Sequence, residues 1–99
     1  MDVLYSFGGL EFVWNLHKAA ANVEKHGIRF EQACEVFFDP LARALDAGMP
    51  GEARDAVVGE TEQGHLLFVV HIERDAQAIR IISARPATAA ERSAYEDDA

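Results

Sequence analysis

The 99-residue chain has a single cysteine, Cys34, so no disulfide can close within it and no metal can be held by thiolates alone. Cys34 falls at helical spacing with Phe30 and Phe37, which predicts a buried thiol rather than a nucleophile. The four histidines, His17, His26, His65 and His71, make no recognised metal spacing, so a metal site has no support and no cofactor is expected. No apolar run approaches the roughly 20 residues of a membrane helix. The start, Met1-Asp2-Val3-Leu4, lacks the basic opening of a secretory signal. A soluble, cytoplasmic protein with no membrane contact is expected. Repeats, low-complexity tracts and linkers are missing as well, leaving one domain over 1–99, which at this size buries roughly two thirds of its unfolded surface.

Positive charge is scarce. Asp and Glu outnumber Lys and Arg by 17 to 9, so the overall basic footprint of a nucleic-acid binder is absent and a local patch would have to replace it. Glu96-Asp97-Asp98 reads as a frayed, solvated tail over 96–99. The body remains acidic without it.

What is present is a clear succession of helix and strand signals. Residues 1–9, with the Gly8-Gly9 break and little periodicity, read as a loosely held extension. A short strand at about Glu11 to Trp14 meets Asn15, a residue suited to cap a helix from Leu16 to about His26. Gly27 fits the left-handed end of that helix, and Lys25 and His26 complement its dipole. In the second helix Phe30, Ala33, Cys34, Phe37 and Leu41 line one face, Val36 and Phe38 lie off it, and Asp39-Pro40 stops it.

Strands are expected at Ala42 to Asp46 and, after the loop Gly48-Met49-Pro50-Gly51, at about Ala53 to Glu60. The turn Glu62-Gln63-Gly64 leads to strands at Leu66 to Glu73 and Ala78 to Arg85. Thr88 with Glu91 gives a capping box for a final helix. The class is α+β, an antiparallel sheet packed against two N-terminal helices with a short C-terminal helix. The central strand Leu66 to Ile72 is nearly all apolar, as when both faces are covered.

The segment Ile79-Arg80-Ile81-Ile82-Ser83-Ala84-Arg85 carries one guanidinium near the middle of a strand and another at its exit. Forked, permanently charged donors on a rigid element suit a phosphate. Plain structural roles also exist: Arg80 paired with Glu73 or Asp75 across the hairpin, and Arg85 capping a sheet edge. Glu52 and Arg54 can form a surface ion pair of little worth. His71 on an apolar strand fits a satisfied core histidine, and Trp14 and Tyr95 fit packing residues with a polar tip.

Lys25-His26-Gly27, then Phe30, Ala33, Val36, Phe37 and Asp39-Pro40, then Glu52 and Arg54, then Arg80 to Arg85, and finally Glu91, Arg92 and Tyr95 resemble, in order and spacing, the BrnT toxins. These are the ribonuclease halves of bacterial type II toxin–antitoxin pairs. The resemblance spans about Phe12 to Glu96. It implies a RelE-like fold and a metal-independent endoribonuclease that inhibits translation. It also implies an RNA substrate, a cognate BrnA-like antitoxin that covers the active face, and operator DNA bound only through that antitoxin. By the same resemblance Lys25, His26, Glu52, Arg54, Arg80 and Arg85 are the functional positions, and the general base among them stays open. A base for the 2′-hydroxyl, cations for the phosphorane and an acid for the leaving oxygen are what such cleavage needs.

Two departures bear on activity. Family members usually read Phe-Glu-Trp-Asp where this chain has Phe12-Val13-Trp14-Asn15, which keeps the cap and loses an acid. Their basic run before the last helix is replaced by Pro86-Ala87-Thr88-Ala89-Ala90, which removes cations that track an RNA backbone. A binding module that keeps the fold and the antitoxin contacts without cleavage is therefore an alternative. An unrelated α+β protein with structural arginines is a third.

Overall fold

The computed structural model describes residues 1–45, 54–74 and 78–97. Glu52, the loop Gly48-Met49-Pro50-Gly51, the strand ends expected at Asp46 and Ala53, and Asp75, Ala76 and Gln77 lie outside them.

The chain runs β1 (Asp2–Phe7), β2 (Leu10–Asn15), α1 (Leu16–His26), α2 (Phe30–Glu35), a 3₁₀ turn (Val36–Phe38), β3 (Arg43–Leu45), β4 (Asp55–Glu60), β5 (Leu66–Arg74), β6 (Ala78–Pro86) and α3 (Ala89–Glu96). The described strands form one sheet in the order β1-β2-β6-β5-β4-β3. The expected all-antiparallel sheet is mixed, because β2 and β6 pair in parallel through Phe12↔Ile79 and Val13↔Arg80. Local pattern shows that β2 is a strand; the direction of its neighbour is set by a crossover through most of the chain.

Residues 2–7 correct the expected loose extension. They form β1, paired with β2 from Asp2↔Asn15 to Phe7↔Leu10. Gly8 and Gly9, at φ 60° and 86°, supply the two positive-φ residues that a tight hairpin turn requires. Val3, Tyr5 and Phe7 alternate onto the core, where the Tyr5 ring lies 5.5 Å from Trp14. The two helices expected at the N-terminal side therefore follow a complete hairpin.

Asn15 caps α1 by accepting from the Lys18 N–H at 3.1 Å. Gly27 ends the helix at φ 71°. The second helix is shorter than its apolar spacing predicts: it is α-helical only through Glu35 and tightens to 3₁₀ over Val36–Phe38. At three residues per turn the inward face rotates. Val36 becomes fully buried, whereas Leu41 is 67% exposed.

Helices α1 and α2 cover one face of the sheet around a core of Phe12, Trp14, Phe30, Val69, Ile81 and Ala84. On the other face α3, held by the Thr88–Glu91 capping box, packs against β4. The Arg43 guanidinium donates to the Ala94 carbonyl, and the Tyr95 hydroxyl donates to Asp39 at 2.6 Å. Phe68, Val70 and Ile72 of β5 face this second side and are only half-buried, so the cover expected on both faces is partial.

Candidate functional site

Arg85 stands five positions after Arg80, and strict alternation would send them to opposite faces. The pairing of β5 with β6 runs Phe68↔Arg85, Val69↔Ala84, Val70↔Ser83, then His71↔Ile81 and Ile72↔Arg80, so Ile82 is an extra residue on β6. This bulge re-aims the strand. It brings Arg80, Ser83 and Arg85 onto the face opposite α1 and α2, while Ile79, Ile81 and Ala84 remain on the core side.

Arg80 lies between Val13 of β2 and Ile72 of β5. Its guanidinium reaches across β2 to Asp2 of β1, with contacts of 2.8 and 3.4 Å to the two carboxylate oxygens. The bond from Arg80 holds the Asp2 carboxyl below its usual range and raises the Arg80 value in turn. This replaces the partners expected from sequence: Glu73 stands opposite Ile79, in the core-facing register, and Asp75 lies outside the described residues.

Arg85 forks to Glu91, with two contacts of 2.8 Å, and its guanidinium carbon lies 4.3 Å above the Phe68 ring. It does not cap a sheet edge, because β6 is interior, between β2 and β5. Glu91 also accepts from the Thr88 N–H at 2.9 Å. One carboxylate thus caps α3 and fixes Arg85. The Arg85 bond pulls the Glu91 carboxyl down in spite of burial, which pushes it up.

Lys25 and His26 occupy the last turn of α1, which packs on the opposite side of β6; Lys25 is exposed and His26 half-buried. Arg54 is exposed immediately before β4. Glu52 lies outside the described residues. His71 is buried at 6% exposure, edge-on to Phe37 with centroids 4.9 Å apart, and its Nδ1 has no hydrogen-bond partner among the described residues. It differs there from the satisfied core histidine expected. Burial lowers its pKa, which favours the neutral ring on the core side.

A pocket of about 430 Å³ is lined by Phe7, Phe38, Pro40 and the acidic Glu35, Asp39, Glu60 and Glu62. None of the described candidate residues lines it, and its charge repels phosphate. The basic feature is instead an open sheet face carrying two forked guanidiniums, each already engaged by a carboxylate. Sequence reading missed Asp2 as a partner because β1 itself was missed. It missed Phe68 because the contact depends on register, and it took Glu91 as a cap without its second role.

No curated protein matches the chain. A solved structure does: the 1.1 Å crystal structure of the Brucella abortus ribonuclease toxin, BrnT, is similar at a TM-score of 0.65 and 24% identity, covering 78% of this chain and 95% of that one. The family model described as "Ribonuclease toxin, BrnT, of type II toxin-antitoxin system" matches residues 14–91. The matched segment takes in α1 through the start of α3 and excludes β1 and most of β2. The chain belongs to the BrnT family of ribonuclease toxins of type II toxin–antitoxin systems.

Proposed function

We propose that this protein is a metal-independent endoribonuclease of RelE-like fold that cleaves RNA in the cytoplasm, inhibits translation, and is neutralised by a BrnA-like antitoxin. It forms a single domain over 1–99, and operator DNA is bound only through the antitoxin. The observation that carries the reading is the shared outward face of Arg80 and Arg85, since two forked cations on one rigid strand match the oxygens of a phosphodiester.

In this reading a base takes the 2′-hydroxyl proton; the family resemblance offers Glu52 and His26, and His26 stands on the α1 side of the sheet, away from the arginine face. The 2′-oxygen attacks phosphorus, the bond to the 5′-oxygen breaks, and that oxygen leaves with a proton from an acid. A 2′,3′-cyclic phosphate remains. Arg80 and Arg85 stabilise the charge that builds on the non-bridging oxygens, and Lys25 and Arg54 add positive charge. The roles of Lys25, His26, Glu52 and Arg54 rest on the family resemblance and not on a contact with the two arginines.

A second reading is a BrnT-fold module that binds an antitoxin and does not cleave. Two observations favour it: both arginines are engaged by carboxylates, and the chain carries a net charge of −8. An acidic surface of this kind suits a basic segment of the partner. Purified protein incubated with RNA in excess EDTA separates the readings. Cleavage to products ending in cyclic phosphate, lost in Arg80→Ala, supports the enzyme; intact RNA with a folded protein supports the module.

A further inference from the structure

The two carboxylates on the arginine face are not equivalent. Glu91 has 17% side-chain exposure, is tied at once to Arg85 and to the Thr88 backbone, and falls within the family-matched segment. Asp2 has 48% side-chain exposure, accepts side-chain hydrogen bonds only from Arg80 among the described residues, and stands on β1, ahead of the matched residues. One carboxylate is built in, and the other is open to exchange.

We propose that the β1–β2 hairpin adds a residue to the site, Asp2, whose carboxylate occupies the Arg80 fork in competition with a substrate phosphate and so sets the anion affinity of this face. The inference rests on Arg80 being a phosphate ligand, as the proposed function has it. A carboxylate and a phosphodiester present the same pair of acceptor oxygens to a guanidinium, so both cannot hold the Arg80 fork together. Position makes the competition specific: Asp2 pairs with Asn15 across the hairpin, and the Met1 carbonyl is tied to the Leu16 N–H at 2.9 Å, so the carboxylate is presented by ordered backbone. Exchange is easy because an exposed ion pair is weak and is screened by salt. Asp2 is thus a positioning residue that holds Arg80 across β2 until a phosphate displaces it.

The test is binding of a fluorescent oligonucleotide in which every residue is 2′-deoxy, so that it cannot be cleaved, to wild type, Asp2→Asn, Arg80→Ala and the double variant, with Glu24→Gln on α1 as the charge-matched control. Asp2→Ser serves as a second, smaller replacement, and cooperative unfolding is checked for each. Asp2→Asn is expected to bind about two- to fivefold tighter than wild type at low salt, Glu24→Gln to change little, and the gain to vanish in the Arg80→Ala background. An equal gain from Glu24→Gln, or a gain that survives without Arg80, overturns the proposal and leaves Asp2 as a charge that protects an edge strand. Equal binding by Asp2→Asn and the double variant overturns it at its root, together with the phosphate role of Arg80.

Discussion

Asn22 of α1 holds Ala84 of β6 by both backbone groups: its Oδ1 accepts from the Ala84 N–H at 3.1 Å and its Nδ2 donates to the Ala84 carbonyl at 2.8 Å. The same Nδ2 donates to the Ile28 carbonyl at 2.9 Å. A primary amide thereby does for β6 what a neighbouring strand would do, at a level beyond the Val13↔Arg80 pairing that β2 supplies. Ala84 directly precedes Arg85, so the helical layer fixes the segment that carries the outward arginine.

Replacing Asn22 by Ala should cost about 1–3 kcal/mol, the range for leaving buried backbone groups without partners. Asn22→Asp should be no better, because a carboxylate cannot donate to the Ala84 and Ile28 carbonyls. Urea unfolding measures both. Wild-type stability in either variant would show that the clamp carries no energy.

Acid should weaken the fold through Glu91. Its folded pKa is held below the ordinary 4.5, chiefly by the Arg85 bond. As pH falls through 4.5 the unfolded chain takes up a proton that the folded chain refuses, so stability is lost on the acid side and is full above it. Asp39 acts in the same direction: burial pushes its carboxyl up, but bonds from Tyr95, Leu41 and Glu60 outweigh that. Between pH 7 and 3, unfolding free energy should fall more steeply in wild type than in Arg85→Gln. Parallel curves would contradict this.

Cys34 should resist alkylation. It is fully buried, and burial pushes its thiol up to about 12, so almost no thiolate is present at pH 8. Iodoacetamide should modify it only after denaturation, as read by mass spectrometry. Rapid modification of the native protein would place the thiol at the surface.

Gly59→Ala should destabilise by about 1–3 kcal/mol, as overpacking does. A Cβ there would lie 2.6 Å from Val36 Cγ1 and 3.2 Å from the Val36 carbonyl oxygen, where β4 passes close to the 3₁₀ turn. Thermal unfolding tests it. No change in Tm would show that the turn can shift aside.

The helix caps at Asn15, Gly27 and Thr88, and strands β4, β5 and β6, were legible because each rests on local chemistry within a few residues. β1 was equally local: Gly8-Gly9 between the alternating pairs Tyr5, Phe7 and Phe12, Trp14 is a hairpin signal, and reading it as a break lost the strand. The parallel contact of β2 with β6, the bulge at Ile82 and the Arg80–Asp2 pair were not legible. Each joins residues far apart in sequence or depends on register, which no short window contains. The arginines could be named from sequence. That they share a face could not, because simple alternation over five residues predicts the reverse.

The ribonuclease proposed for this protein works through the face that carries Arg80 and Arg85. The most direct measurement is induced expression of wild type, Arg80→Ala and Arg85→Ala in a bacterium without a cognate antitoxin, following growth and total RNA integrity. Arrested growth and degraded RNA with wild type, and neither with the folded variants, is the result expected. Unchanged growth and intact RNA with soluble, folded wild type would contradict the claim and leave a fold that binds without cutting.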